Sequence, residues 1–119
     1  MNLTGENIVI TGGSSGIGFA TAKKCVNAGA NVGIIGRTKK ALQDAVEEIN
    51  HKSEAAKFYV ADIGNETSFI KSLAFFKDEW GSIDGLVNNA MSISPSVLEE
   101  QSLESWKENF KVTLDAAFI

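Results

Sequence analysis

Ile8-Val9-Ile10-Thr11, followed at once by Gly12-Gly13-Ser14-Ser15-Gly16-Ile17-Gly18, joins a short β-branched run to a glycine-rich loop. A run this short does not make a helix. Without polar alternation it suits a strand buried on both faces of a parallel sheet. From Gly16 a helical pattern begins, with Ile17, Thr21, Cys25 and Ala28 spaced to share one apolar face, and Gly29 follows as a stop. The loop therefore lies between the carboxyl end of a strand and the start of a helix. Glycines there allow a tight turn, close approach of backbone to a ligand, and close packing of helix on strand. The helix start adds unpaired N–H groups and a positive dipole end, both suited to phosphate. Ser14 and Ser15 would add hydroxyl donors.

The same alternation continues outward. Val32-Gly33-Ile34-Ile35 reads as a second strand, and Leu42, Ala45, Val46 and Ile49 fall at i, i+3, i+4 and i+7 of a second helix. Lys57-Phe58-Tyr59-Val60-Ala61 is a third strand. Its helix carries Phe69, Leu73, Phe76 and Trp80 as a core stripe, with Asn65 as the expected cap. Gly85-Leu86-Val87 makes a short fourth strand. A serine-rich loop holding the one proline, Pro95, leads to a last helix capped by Ser102, with Trp106, Phe110, Thr113, Leu114 and Ala117 expected on its buried face. Strands alternating with helices require right-handed crossovers and a mostly parallel sheet covered on both sides. The fold class is α/β.

Composition narrows the function. The 119 residues suit one domain, 1–119, and with 44% hydrophobic against 22% charged residues the chain can bury a core. Fifteen acidic against eleven basic residues leave a formal charge of −4, which argues against nucleic acid or an anionic membrane as partner. The single cysteine, Cys25, cannot form a disulfide framework and fits the cytoplasm. No signal segment or membrane span is expected.

Thr11-Gly12-x-x-x-Gly16-x-Gly18 resembles the glycine motif of the short-chain dehydrogenase/reductase family. Two more motifs agree in order and spacing. Asn88-Asn89-Ala90 resembles the family's Asn-Asn-Ala-Gly, and Asp62-Ile63 is similar to its adenine-contacting pair. The resemblance covers essentially the whole chain. It implies a three-layer Rossmann-type fold with parallel strands in the order 3-2-1-4, and an oxidoreductase that moves hydride between a nicotinamide and a small carbonyl or alcohol. On that basis Gly12, Ser14, Ser15, Gly16, Ile17 and Gly18 cradle the pyrophosphate, Asp62 and Ile63 border the adenine, and Asn88 with Ala90 border the nicotinamide ribose. In place of the acidic residue that would bind the ribose 2′-hydroxyl of NAD, the position after strand two holds Arg37, whose guanidinium suits the 2′-phosphate of NADP, with Lys39 or Lys40 assisting. NADP is therefore expected over NAD.

The resemblance also marks departures. The family's catalytic serine and Tyr-x-x-x-Lys have no counterpart: the only tyrosine is Tyr59, and four residues on stands Ile63. No catalytic residue is assigned. Met91 replaces the glycine of Asn-Asn-Ala-Gly. Thr113 replaces an asparagine of the fourth helix, and is expected as a helix threonine bonded to a carbonyl one turn back. The helical pattern still runs at Ala116-Ala117-Phe118-Ile119, so the chain is expected to be the truncated amino-terminal part of a larger domain, self-associating as a homo-oligomer. The alternative is a nucleotide-binding or interaction module without catalysis. Cys25 reads as a small buried hydrophobe, and the lone His51 has no partner for a metal site.

Overall fold

A computed structural model describes residues 1–119. β1 (Asn7–Thr11), β2 (Asn31–Gly36), β3 (Ala56–Val60) and β4 (Gly85–Val87) form one parallel sheet in the order β3-β2-β1-β4. Between them run α1 (Gly16–Asn27), α2 (Lys39–Ile49) and α3 (Glu66–Trp80). After β4 come α4 (Leu103–Phe110), a five-residue π turn (Lys111–Asp115) and a last short helix, α5 (Ala116–Phe118). Strand bounds differ from the sequence reading by one residue: β1 and β2 extend to Asn7, Asn31 and Gly36, and β3 starts and ends one residue earlier. No helix is long and apolar enough to cross a membrane.

Both faces of the sheet are buried, because successive side chains of a strand point to opposite sides. Ile10, Val32, Ile34 and Ala56 meet Ala22 of α1 and Leu42, Ala45 and Ile49 of α2 in one cluster. Val9, Ile35, Ala61 and Ile63 meet Phe69 and Phe76 of α3 and Val112 and Ala116 from the end of the chain in the other. The result is three layers, with β1 and β2 sandwiched between them. Gly33 is small for a reason: a Cβ there would collide with the Phe76 ring. Phe76 stacks on Trp80 at 5.2 Å, fixing the last turns of α3 against the sheet.

Caps set the helix ends. Asn65 Oδ1 accepts from Ser68 N–H at 2.9 Å and Ser102 Oγ from Ser105 N–H at 3.1 Å, as expected. Gly81 ends α3 at φ +83°.

Two helix faces differ from the sequence reading. In α1 the buried residues are Gly18 and Ala22, and Ile17 is 81% exposed. Small side chains let α1 approach the sheet closely, so the face that packs is the least hydrophobic-looking one. In the last helical segment Val112 and Ala116 are buried, while Trp106, Phe110, Thr113, Leu114 and Ala117 are exposed. The large residues form an outer stripe, and the smaller ones pack.

Candidate functional site

The site is built on the end of β1. Thr11 is buried, and its hydroxyl fills all three of its bonding positions: it accepts from the N–H groups of Asn89 (3.1 Å) and Ala90 (3.0 Å) and donates to the Val87 carbonyl (3.4 Å). One hydroxyl thus pins the segment after β4 to the end of β1. Asn89 returns the connection, its Nδ2 donating at 3.1 Å to the carbonyls of both Thr11 and Gly12. Those carbonyls lie where β1 has run out of partners on its β4 side. Gly12 N–H is satisfied from the other side, by the Ile35 carbonyl of β2 at 2.8 Å.

Gly12 turns the chain at φ +67° and Gly16 at φ +55°, conformations that glycine adopts without strain. Gly13 and Gly18 are small for packing: a Cβ at Gly13 would strike Ile34, and one at Gly18 would strike the Gly12 carbonyl and Asn89 Nδ2. At the Ser15 N-cap of α1 no side chain bonds the first N–H groups, and the first turn holds no acidic residue. Open space lies over Gly16, where a Cβ would meet nothing within 4 Å. An uncapped helix start beneath an open glycine loop is a fit for a phosphate group.

A cleft of about 380 Å³ runs across the carboxyl ends of the strands. It is lined by Gly12, Ser14, Ser15, Gly16 and Ile17 of the loop, Arg37 after β2, Asp62 and Ile63 after β3, and Ala90 after β4, so nine of the eleven expected residues come together. Gly18 lies buried behind the loop, and Asn88 is exposed and does not line the cleft. Their places follow from the strand end: Asn89, not Asn88, points toward β1. Ile35, Gly36, Thr38, Ala61, Asn89, Met91 and Val112 complete the lining. Asn89 was within the quoted motif. Its signal was an amide side chain placed just past a strand end, where neighbouring carbonyls need donors. Asp62 has a structural bond as well, Oδ1 accepting from Gly64 N–H at 2.9 Å, which leaves its second oxygen for the cleft.

Thr113 differs from the expectation. Its hydroxyl accepts from Ser92 N–H (3.1 Å) and donates to the Ser92 carbonyl (3.3 Å), reaching across to the loop after β4 rather than back along its own helix. It sits mid-way through the π turn Lys111–Asp115, which breaks the regular ladder a back-bond would use.

Outside the cleft the remaining polar side chains read as structural. Burial holds the Cys25 thiol above its ordinary pKa, so the group is not an activated nucleophile. Tyr59 packs on Phe75 at 5.1 Å and lines no part of the cleft. A second groove between α1 and α2 is lined almost wholly by charged and polar chains, including the Lys23–Glu48 ion pair at 3.3 Å, and is far from the glycine loop. No three His, Cys, Asp or Glu side chains stand together as a metal site.

Comparison with known proteins agrees with this geometry. The family model described as short chain dehydrogenase matches residues 6–119. The sorbose reductase of Schizosaccharomyces pombe is 36% identical over 120 residues, covering 98% of this chain and 47% of the relative. A 3-ketoacyl-(acyl-carrier-protein) reductase from Brucella melitensis, solved with NADH, superposes with a TM-score of 0.90 at 30% identity, over 98% of this chain and 47% of that one. A blue fluorescent protein from a metagenomic library, solved with NADPH, superposes with a TM-score of 0.91 at 26% identity, over 99% and 49%. The chain spans about half the length of the curated relatives it matches. With a short chain dehydrogenase model matching residues 6–119, a relative 36% identical over 98% of the chain, and a parallel sheet in the order β3-β2-β1-β4, the chain belongs to the short-chain dehydrogenase family.

Proposed function

We propose that the cleft holds NADP in preference to NAD, and that the chain is the cofactor-binding part of an oxidoreductase acting on a small carbonyl or alcohol. When bound, the nicotinamide would give a hydride to a carbonyl or take one from an alcohol. This chain's residues bind and orient the dinucleotide: the loop from Gly12 to Gly18 and the start of α1 take the pyrophosphate, and Asp62 with Ile63 borders the adenine. Ala90 borders the far ribose, with Asn88 on the outer side of the same segment.

The observation that carries the preference is Arg37. It lines the cleft directly after β2 and has no ion-pair partner, and no carboxylate stands at Gly36, Arg37 or Thr38. Next to it α2 begins without a side-chain cap and without an acidic residue in its first turn, where Lys39 and Lys40 stand instead. Lys40 is already paired with Asp44 at 2.9 Å, but Arg37 and Lys39 make no ion pair, and cations at the positive end of a helix are unfavourable until an anion joins them; a 2′-phosphate would be that anion. Calorimetric titration is expected to show NADP binding about tenfold or more tighter than NAD, the order given by one charge-assisted pair. Arg37→Asp is expected to reverse the order. Tighter binding of NAD by the unaltered protein, or NADP affinity unchanged in Arg37→Asp, would overturn the assignment.

The competing reading is a binding module without catalysis, favoured by the packing of the only tyrosine, Tyr59, against Phe75 and away from the cleft. The two readings part in a turnover assay with NADPH and a panel of carbonyl substrates. These 119 residues offer no tyrosine–lysine pair for proton transfer, and no turnover is expected from them alone. Hydride transfer at an ordinary enzymatic rate would refute that expectation. A lone, unpaired cysteine accords with the cytoplasm as the compartment.

A further inference from the structure

We propose that Lys111 fits the adenine end of the cleft to a 6-oxo purine as well as to adenine. The hypoxanthine analogue of NADP would then bind almost as tightly as NADP itself. The inference rests on the cofactor reading above and deepens it into a statement about the base. Asp62 lines that end of the cleft, and its carboxylate can only accept hydrogen bonds. One oxygen, Oδ1, is taken by Gly64 N–H at 2.9 Å. The other is open to a donor such as the 6-amino group of adenine. A 6-oxo purine carries its donor one atom away, at N1, and an acceptor at the 6-position. Asp62 can take the N1–H, but the oxo group then lies beside a carboxylate and is left unpaired unless a second donor meets it.

Lys111 supplies that donor. Three side chains converge on the buried Gly64, where a Cβ would lie 3.2 Å from Asp62 Oδ1, 3.2 Å from Val112 Cγ2 and 3.6 Å from Lys111 Cε. Asp62 and Val112 both line the cleft, so the stem of Lys111 runs beside its wall and the ammonium is one bond further on. That ammonium is uncommitted. Lys111 is exposed, and neither it nor Asp62 belongs to any of the ion pairs of the chain, Lys23–Glu48, Lys40–Asp44 and Lys57–Glu79. An ammonium offers three donors and no acceptor on a flexible four-carbon stem, so it can turn toward an oxo group beside the carboxylate. Facing a 6-amino group it stays in water, where it is strongly hydrated. A carboxylate and a free ammonium at one end of the cleft thus answer both forms of the base.

The test is calorimetric titration of NADP and of nicotinamide hypoxanthine dinucleotide phosphate, which differs from it only in the base. The unaltered protein is expected to bind the two within about fivefold of each other. Lys111→Met keeps the aliphatic stem without the charge, and should weaken the hypoxanthine form about tenfold, the order given by one charge-assisted hydrogen bond. NADP should stay within about twofold in the same variant, which also shows that it is folded. Lys111→Arg keeps a charged donor and should hold the hypoxanthine form within about threefold of the unaltered protein. A hypoxanthine form bound about tenfold or more weaker than NADP by the unaltered protein would overturn the proposal. So would a Lys111→Met variant that weakens both dinucleotides alike, or neither. Failure of the unaltered protein to bind either dinucleotide would instead refute the cofactor reading, and would be visible before any variant is made.

Discussion

Thr11 and Asn89 do with side chains what a longer strand would do with backbone: they satisfy the groups left over where β1 ends and the glycine loop begins. Gly18 is the point where that arrangement has no slack. Alanine is better than glycine in a helix interior by about 1 kcal/mol, so propensity alone would make Gly18→Ala stabilising. The new Cβ, however, would collide with the Gly12 carbonyl, which is backbone, and with Asn89 Nδ2, which already bonds two carbonyls. Overpacking of this kind costs about 1–3 kcal/mol. The collision outweighs the propensity, and relief requires the glycine loop to shift. Gly18→Ala is therefore expected to lower the melting temperature and to weaken dinucleotide binding by about tenfold, measured by calorimetry on one preparation. A variant more stable than the parent with unaltered affinity would show that the loop tolerates the methyl group.

The strands are tied at their other ends by a separate polar cluster. Asn7, buried at the start of β1, accepts from Asn31 Nδ2 of β2 at 2.9 Å and donates to Ser82 Oγ at 3.3 Å, while its N–H donates to Asp84 Oδ2 at 2.8 Å. It fixes the positions of three strands at once. Asn7→Ala leaves the Asn31 amide short of a partner in a half-buried setting and is expected to cost about 1–3 kcal/mol. In urea titration the midpoint should fall with the slope unchanged. Because Asn7 lies at the opposite strand ends from the cleft, dinucleotide affinity should not move, and a matching loss of affinity would contradict this separation. Element type and order were legible in the sequence because β-branched runs and glycine stops alternate cleanly. So was the place of the cleft, since a glycine loop, Arg37 and Asp62 all fall at carboxyl ends of parallel strands. The faces of α1 and of the last helical segment were not. Hydrophobicity marks what prefers burial, whereas Gly18, Ala22 and Ala116 are buried because they are small enough to let a helix approach. The cross-chain hydroxyl of Thr113 was equally hidden, since the π turn that aims it has no sequence pattern.

The large residues displaced from the packed face bear on the behaviour of the entire chain. Trp106 and Phe110 lie 5.1 Å apart, and with Leu114 (58% exposed) and Phe118 (93% exposed) they form one outward apolar stripe along the last helical segment. β4 pairs only with β1, so its outer edge presents unpaired N–H and C=O groups beside the exposed Leu86. The shape agrees with an uncovered side: the radius of gyration is 14.9 Å, against about 13.5 Å expected for a compact domain of this length. An apolar stripe and an open strand edge are the two surfaces most prone to association in water. The 119-residue chain is therefore expected to self-associate, with a sedimentation coefficient that rises with protein concentration. Two variants separate the surfaces. Phe110→Lys places a charge in the middle of the stripe and should shift the equilibrium toward monomer, while Leu86→Lys blunts the strand edge without touching the helix. If Phe110→Lys alone restores a monomer, the helices carry the contact; if only Leu86→Lys does, strand pairing carries it. A chain that sediments as a monomer at every concentration would mean that neither surface is sticky enough to act, and the expectation of a homo-oligomer would fall with it.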